Sequence, residues 1–319
     1  MFESIYQHLL CTLSKAEKIN LWHRRLGHFN ISKILNKLSK INIPSKCQIC
    51  SHSKLKDFPH KNSTNKSKGI FELIHMDLIG PIEESLHCNR YILSILDDFS
   101  RYGWVHFLSN KHDTYTIFHN WFIEINNIHD KSIKYIRTDN GTEFSNSMFK
   151  SFCASHGITH QFTIPYNPQQ NGRAERFNGT LINSAKALLN DGKLSHHLWE
   201  YAVEIANYIH NRIPHSGIQN KIPYEILFKS KIDYAHFKVF WCRVFYYVHK
   251  SFRNKFDNNA LPGIFLGYHP SSSSYKILSL STNKIILSRS VNFSKIIQLT
   301  PPQLPLFQRN TQTSFQIMK

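Results

Sequence analysis

The chain has 319 residues, 41% of them apolar, and this length suits two or three domains because single domains run to about 100 to 200 residues. No uncharged apolar run reaches the roughly 18 residues of a membrane span, and six cysteines are too few for a disulfide framework. The 39 lysines and arginines outnumber the 21 aspartates and glutamates along the whole chain, which indicates a nucleic-acid partner, DNA or RNA, rather than a merely basic soluble protein.

Residues 2–13 are mildly apolar, but they include Glu3 and lack both a basic leading segment and a small-residue cleavage pattern. A signal peptide is therefore not expected, and the protein is predicted to be intracellular. In a reducing compartment a Cys-x-x-Cys pair favours metal binding over a disulfide.

Residues 1–60 are predicted to form short helices around a structural zinc ion. Two imidazoles and two thiolates, spaced as His-x4-His and Cys-x2-Cys, complete a tetrahedral zinc shell: His23, His28, Cys47 and Cys50. Gly27 can end the first helix, so that His28 returns toward His23 from the following loop. Asn30 is expected to cap a second helix with an apolar stripe, and the polar stretch 61–70 is predicted to be a linker.

The alternative is that these four residues are incidental, because a chain with 20 histidines contains chance pairs. The Cys-x2-Cys pair favours zinc, since its spacing is typical of structural zinc sites. The other cysteines have no partner at metal spacing and are predicted to be ordinary buried thiols: Cys11, Cys88, Cys153 and Cys242.

Residues 71–232 show an alternation of strand and helix patterns. Strands are predicted at 71–80, 90–98, 103–108, 133–139 and 158–162, and helices at 112–127, 146–156, 173–190 and 196–212. This order, βββαβ followed by helix, strand and helices, predicts an α/β fold of the ribonuclease H type with a five-stranded mixed sheet. The Pro-rich loop up to Gly172 is expected to be mobile enough to close over DNA.

The C-terminal part carries short strand patterns at hairpin spacing. They lie at 237–248, 263–269, 274–280 and 284–293. A small β-barrel over 233–296 is therefore predicted. Residues 297–319, rich in Pro, Gln and Thr, are predicted to be disordered.

Three acidic residues of the central part stand at positions suited to metal catalysis: Asp77 inside a strand, Asp139 at a strand end and Glu175 in the first turn of a helix. Each alone has an ordinary explanation, as an edge-strand residue, a turn residue or part of a helix surface. Together they are predicted to meet at one end of the sheet around two Mg²⁺ or Mn²⁺ ions.

Asp97 and Asp98 compete with these three acids as candidate metal ligands. A hairpin turning near residue 85 pairs them with about residues 73 and 74, three to four residues from Asp77 along its strand. They are therefore predicted to be structural.

Several motifs resemble the integrase of copia-type LTR retrotransposons over about residues 20–296. They are WHRRLGH followed by CQIC, IHMDLIGP, IRTDNGTEF, PYNPQQNGRAERFNGTL, LPGIFLGY, SYKI and LSRSVNF. The resemblance implies that His23, His28, Cys47 and Cys50 are the zinc ligands and that Asp77, Asp139 and Glu175 are the catalytic acids. It also implies that the barrel is SH3-like.

The resemblance further implies a reaction that joins the 3′ hydroxyl ends of element cDNA to target DNA. Its expected partners are those DNAs, other copies of the same chain and the reverse transcriptase of the same polyprotein, with no membrane. The expected location is the nucleus at the time of integration and a cytoplasmic particle beforehand.

The acidic helix departs from the broader retroviral pattern after Glu175. Gly179 and Ile182 stand where cationic DNA-contacting residues are expected, and Lys186 is the first lysine after the glutamate. Asn178, one turn beyond Glu175, is a candidate polar neighbour of the site. The 18-residue gap between His28 and Cys47 is short for retroviral zinc modules and normal for copia elements.

Two other functions compete with an active integrase. One is a non-catalytic nucleic-acid-binding remnant or adopted copy, since the chain has no protease or reverse transcriptase of its own. The other is a cut-and-paste DNA transposase with the same acids, which the copia-like zinc and barrel segments disfavour.

Overall fold

The computed structural model describes residues 14–29, 47–54, 67–128, 133–162, 172–269 and 273–293. The helix predicted after Asn30, most of the linker, nearly all of the Pro-rich loop and the C-terminal tail lie outside the described residues. None of the described helices combines the length and apolar character needed to cross a bilayer.

The N-terminal part contains two described helices, α1 (Lys15–Arg25) and α2 (Gln48–Lys54). The Ser14 side chain accepts a hydrogen bond from Glu17, whose carboxylate accepts one from the backbone of Ser14, so α1 begins with a capping box. Beyond the end of α1, Gly27 has φ +57°. This confirms that the helix ends before His28, as the glycine predicts.

Five described strands form the central sheet in the order β3-β2-β1-β4-β5. Their bounds are β1 Leu73–Ile79, β2 Tyr91–Asp97, β3 Gly103–Leu108, β4 Tyr135–Thr138 and β5 Thr159–Phe162. The first three form an antiparallel meander, and β4 and β5 run parallel to β1. The predicted five-stranded mixed sheet is therefore confirmed.

The helices of the central part cover the sheet. Their bounds are α3 Thr114–Ile128, α4 Thr142–Ser145, α5 Ser147–Ser155, α6 Gly172–Gly192, α7 Trp199–His210 and α8 Pro223–Phe228. Helix α3 buries Phe118, Trp121, Phe122 and Ile125 against the sheet, as its apolar spacing predicts. The short α4 and α8 were not predicted; α8 begins with Pro223 in its first turn, where the missing N–H costs nothing.

The C-terminal part is an antiparallel sheet in the order β10-β6-β7-β8-β9. Its described strands are β6 Arg243–Tyr247, β7 Ala260–Tyr268, β8 Tyr275–Ser279, β9 Ile285–Ser288 and β10 Val291–Phe293. A strand was predicted over 237–248, but β6 occupies only the second half of that range. Phe237, Phe240 and Trp241 of the first half are buried in an irregular segment before β6. The segment predicted as one strand at 284–293 forms two.

The buried apolar residues form two clusters that do not follow the predicted domain boundaries. One lies among β1, β2, α3 and α5. The other combines Leu26 and Phe29 of the N-terminal part with residues of α6, α7 and the C-terminal sheet, such as Leu188, Ile205 and Phe265. This second cluster, the shared core, thus contains residues of all three predicted parts.

Candidate active site and metal centre

Asp77 lies on β1, the middle strand of the central sheet, opposite Ser94 of β2. Its carboxylate accepts a hydrogen bond from its neighbour's backbone, Leu78 N to Oδ1, at 2.9 Å. Asn178 Nδ2 of α6 donates to Oδ2 at 2.7 Å. Two donors from different elements therefore hold the orientation of this carboxylate, and the prediction that Asn178 neighbours the site is confirmed.

Asp139 directly follows β4, which is the parallel neighbour of β1. The β1–β4 register pairs His75 with Arg137, so continuing it by two residues places Asp139 beside Asp77. Its Oδ1 accepts from Gly141 N at 3.1 Å, and its carbonyl accepts from Thr138 Oγ1 at 2.8 Å. The turn at the strand end thus fixes this acid.

Glu175 lies in the first turn of α6 and is exposed to solvent. The same helix carries Asn178, which donates to Asp77, so the N-terminal part of α6 lies against β1 at Asp77. Glu175 thus faces solvent while its charge acts on Asp77.

The charges of Asp139 and Glu175 act on the Asp77 carboxyl. The pKa of Asp77 is raised from 3.8 to about 6, first by burial and then by the negative charge of Asp139, with a further contribution from Glu175. Hydrogen bonds from Leu78 and Asn178 oppose the rise. A divalent cation bound here would offset this repulsion, so the donor set fits a hard metal ion such as Mg²⁺.

Asp97 and Asp98 serve the fold. Asp97 pairs with Ile74 across the β1–β2 ladder, which confirms the predicted hairpin register. Its buried carboxylate accepts from Phe71 N at 2.8 Å and from Ser100 N and Oγ at 2.7 and 2.6 Å. Burial raises the pKa of Asp97, while the hydrogen bonds from Ser100 and Phe71 lower it.

Asp98 joins three parts of the chain around the site. Its carboxylate accepts from Ser67 at 2.8 Å, from His75 Nε2 at 3.0 Å and from Arg101 at 3.0 Å, and it also pairs with Arg173 of α6. Burial alone would raise the pKa of Asp98, but the hydrogen bond from His75 and the charge of Arg101 hold it far below its usual range. Asp98 therefore anchors the first turn of α6, two residues before Glu175.

This anchoring network around Asp98 was not predicted from the sequence. The local sequence pattern that points toward the network is the spacing of His75 and Asp77. They stand two residues apart on β1, so both side chains face the same side of the sheet. Arg173 is 75 residues from Asp98 in the chain, and spacing alone does not join them.

The four predicted zinc ligands converge in the N-terminal part. One ligand atom from each of His23, His28, Cys47 and Cys50 lies within 4.8 Å of the others. His23 Nε2 is 3.1 Å from Cys50 Sγ, and His28 Nδ1 is 3.6 Å from Cys47 Sγ. Among the described residues, these four are the group whose ligand atoms lie close enough together to hold one metal ion. Asp77, Asp139 and Glu175 do not form such a group. Two imidazoles and two thiolates fit zinc.

The remaining described cysteines differ in environment. Burial raises the pKa of the Cys153 thiol to about 11 and that of Cys242 to about 12, as expected for structural thiols. Cys88 is exposed, so its prediction as a buried thiol is wrong. It lies at φ +62° in the loop between β1 and β2, which keeps its side chain out of the core. Cys11 lies outside the described residues.

Family models match most of the described chain. The model "Integrase core domain" matches residues 69–168, a second model of the same description matches 156–223, and "Retroviral polymerase SH3-like domain" matches 242–301. The predicted resemblance to integrases is confirmed by these matches.

Curated relatives match over a similar span. The retrovirus-related Pol polyprotein from transposon TNT 1-94 of Nicotiana tabacum is 34% identical over 86% of this chain and 21% of the relative. Those from transposons RE1 and RE2 of Arabidopsis thaliana are 30% and 29% identical, each over 86% of this chain and 19% of the relative. The chain thus spans about a fifth of the length of these relatives.

Proposed function

The chain contains integrase core and retroviral SH3-like domains, and on that premise we propose that it joins the 3′ hydroxyl ends of element cDNA to phosphodiesters of target DNA. The observation that supports the proposal is that Asp77 has Asp139 beside it, by the register of β1 with β4, and lies close enough to Asp139 and Glu175 for their charges to raise its pKa. Carboxylates in that number suit phosphodiester exchange with divalent metals.

In the proposed mechanism, two bound Mg²⁺ or Mn²⁺ ions would activate the attacking hydroxyl and neutralise charge at the phosphorus and on the leaving oxygen. Asp77, Asp139 and Glu175 would together hold these ions. Asn178 holds the Asp77 carboxylate in one orientation through its 2.7 Å hydrogen bond. Asp98, through Arg173, holds the helix turn that carries Glu175.

The test is strand joining of a blunt element-end duplex to plasmid in Mg²⁺ or Mn²⁺. Joined product from the purified chain supports the proposal. A chain that binds DNA and joins none of it with either metal supports the non-catalytic alternative.

The zinc site, the domain organisation, the partners and the place of action are proposed together with this reaction. We propose that the N-terminal cluster binds a structural zinc ion and that the chain is organised as predicted, with a zinc unit over 1–60, a linker over 61–70, a catalytic core over 71–232, a small barrel over 233–296 and a tail over 297–319. Element cDNA, target DNA, further copies of the chain and the polyprotein's reverse transcriptase are its proposed partners. The nucleus is its proposed place of action.

DNA affinity should fall steeply and almost linearly on a logarithmic scale as salt concentration rises. The reason is the net charge of +18, which favours phosphate contacts that release condensed counterions. Fluorescence anisotropy with labelled duplexes of two unrelated sequences measures it, and both should give nearly the same slope. An affinity unchanged between about 50 and 200 mM salt would contradict an electrostatic partner.

Magnesium affinity should rise with pH through about 6, because the Asp77 carboxyl, with its pKa raised to about 6, must lose its proton to bind the ion. The raised pKa also means that the protonated Asp77 carboxyl stabilises the folded state. This contribution to the free energy of unfolding is complete below about pH 4 and is lost as the pH rises through about 6. Without Mg²⁺, Asp77→Asn should therefore gain stability relative to wild type between pH 4.5 and 7.5, by at most about 3 kcal/mol.

Urea unfolding of both proteins across that pH range, in buffer free of Mg²⁺ and of chelator, measures the difference. Glu124→Gln on the exposed face of α3 is the control and should show no pH-dependent difference. A constant difference between wild type and Asp77→Asn across the range would refute the raised pKa.

A further inference from the structure

Asp191 is the second-to-last residue of α6, the helix that carries Glu175 in its first turn. Its carboxylate accepts from Arg24 Nε of α1 at 3.0 Å through Oδ1 and at 2.7 Å through Oδ2. The Oδ2 atom also lies 3.7 Å from Nε2 of His28, one of the four proposed zinc ligands. The Arg24 and Asp191 side chains are only 13% and 14% exposed, so this pair is largely shielded from water.

The two ring nitrogens of His28 face different partners. Nδ1 lies 3.6 Å from Cys47 Sγ and 3.7 Å from Cys50 Sγ, whereas Nε2 faces Asp191. The His28 side chain is 1% exposed, so its ring is held in this orientation by the packing around it. A neutral imidazole that binds a metal through Nδ1 carries its proton on Nε2, and a carboxylate facing Nε2 favours that tautomer.

The N-terminal part also packs on the same end of α6. Leu26 and Phe29 are buried in the cluster that contains Leu188 of α6 and Ile209 of α7. A Cβ added at Gly27 would lie 2.9 Å from the Ile209 side chain, so the backbone there approaches α7 closely. Asn190 Nδ2 of α6 donates to Ser53 Oγ of α2 at 3.3 Å. Both described N-terminal helices therefore contact the C-terminal half of the Glu175 helix or its neighbour.

We propose that Asp191 is a positioning residue for the zinc site, which orients His28 from outside the metal shell and, through Arg24, fixes the zinc-binding part onto the helix that carries Glu175. The inference rests on the proposed zinc site but not on strand transfer. Its chemistry is that of carboxylates that support metal-bound histidines, whose loss typically weakens metal affinity about 10- to 100-fold.

The test is zinc affinity of the full chain, measured by competition with a chromophoric chelator. Asp191→Asn should weaken zinc binding about 10- to 100-fold, and Asp191→Glu should restore part of the loss. Arg24→Gln removes the contact with α1 while leaving the carboxylate at His28, so it should cost much less zinc affinity. Asp113→Asn, a partly exposed aspartate outside the N-terminal part, is the matched control and should bind zinc as wild type does.

The absorption spectrum of the cobalt-substituted protein gives a second readout that does not depend on affinity. Asp191→Asn should shift the cobalt bands, because the His28 ring is then less firmly oriented, and Arg24→Gln should leave them in place. Equal zinc affinity in Asp191→Asn and wild type overturns the proposal. An equal loss in Arg24→Gln and Asp191→Asn also overturns it, since docking alone would then explain the effect. A wild-type chain that binds no zinc refutes the zinc site itself.

Discussion

Asp77→Asn, Asp139→Asn and Glu175→Gln should each reduce strand joining by roughly 10³-fold or more, equivalent to about 4 kcal/mol of transition-state stabilisation. Each change removes a negative charge and one metal-binding oxygen while keeping the side chain's size. DNA binding should remain close to wild type, because it depends on the positive charge distributed along the chain. Joining of an element-end duplex to plasmid, with anisotropy for DNA binding, measures both properties.

Two controls separate chemistry from folding. Glu124→Gln, on the exposed face of α3, should join DNA at the wild-type rate. Asp97→Asn should retain joining per folded molecule, but it should lower the unfolding temperature, because the buried Asp97 carboxylate accepts three hydrogen bonds. Joining by Glu175→Gln at the wild-type level would show that the third acid is wrongly assigned.

The apolar patterns predicted most of the fold because β1, β2 and β3 are short, largely apolar runs with clear boundaries. β3, for example, was predicted at 103–108 and lies at Gly103–Leu108. The pattern failed where burial occurs without regular structure. Phe237, Phe240 and Trp241 fill the shared core, and the largely apolar run 237–248 that contains them resembles a buried strand.

The position of each candidate acid within its element was predictable from the local pattern. Asp77 was predicted inside a strand, Asp139 at a strand end and Glu175 in the first turn of a helix, and each lies there. Contacts set by tertiary packing were not predictable. Asp191 meets Arg24 across 167 residues of chain, and no local pattern relates the two.

The shared core has a consequence for the zinc-binding part. Leu26 lies within three residues of both His23 and His28, and it is buried with residues of α6 and the C-terminal sheet. Losing the local fold around zinc would expose this apolar surface and that of the core beneath it. Zinc binding and the stability of the catalytic part are therefore expected to be linked.

Cys50→Ser should remove bound zinc and lower the unfolding temperature of the whole chain. Zinc in small domains contributes about 10 to 16 kcal/mol of apparent binding free energy near neutral pH, and a serine hydroxyl replaces a thiolate poorly. Zinc content by elemental analysis should fall from about one ion per chain to nearly none. Circular dichroism should show the loss of helix signal at a lower temperature than in wild type.

Cys88→Ser is the matched control, because Cys88 is an exposed cysteine in the loop between β1 and β2. The same thiol-to-hydroxyl change there should alter neither zinc content nor unfolding temperature. Wild type treated with a strong chelator should unfold like Cys50→Ser, and added zinc should restore only the wild type. If chelated and zinc-loaded wild type unfold at the same temperature, the cluster at His23, His28, Cys47 and Cys50 does not support the fold through a metal. If the chelated and zinc-loaded proteins unfold at different temperatures, the burial of Leu26 and Phe29 explains why the catalytic part is destabilised as well, because both residues belong to the core shared with α6 and α7.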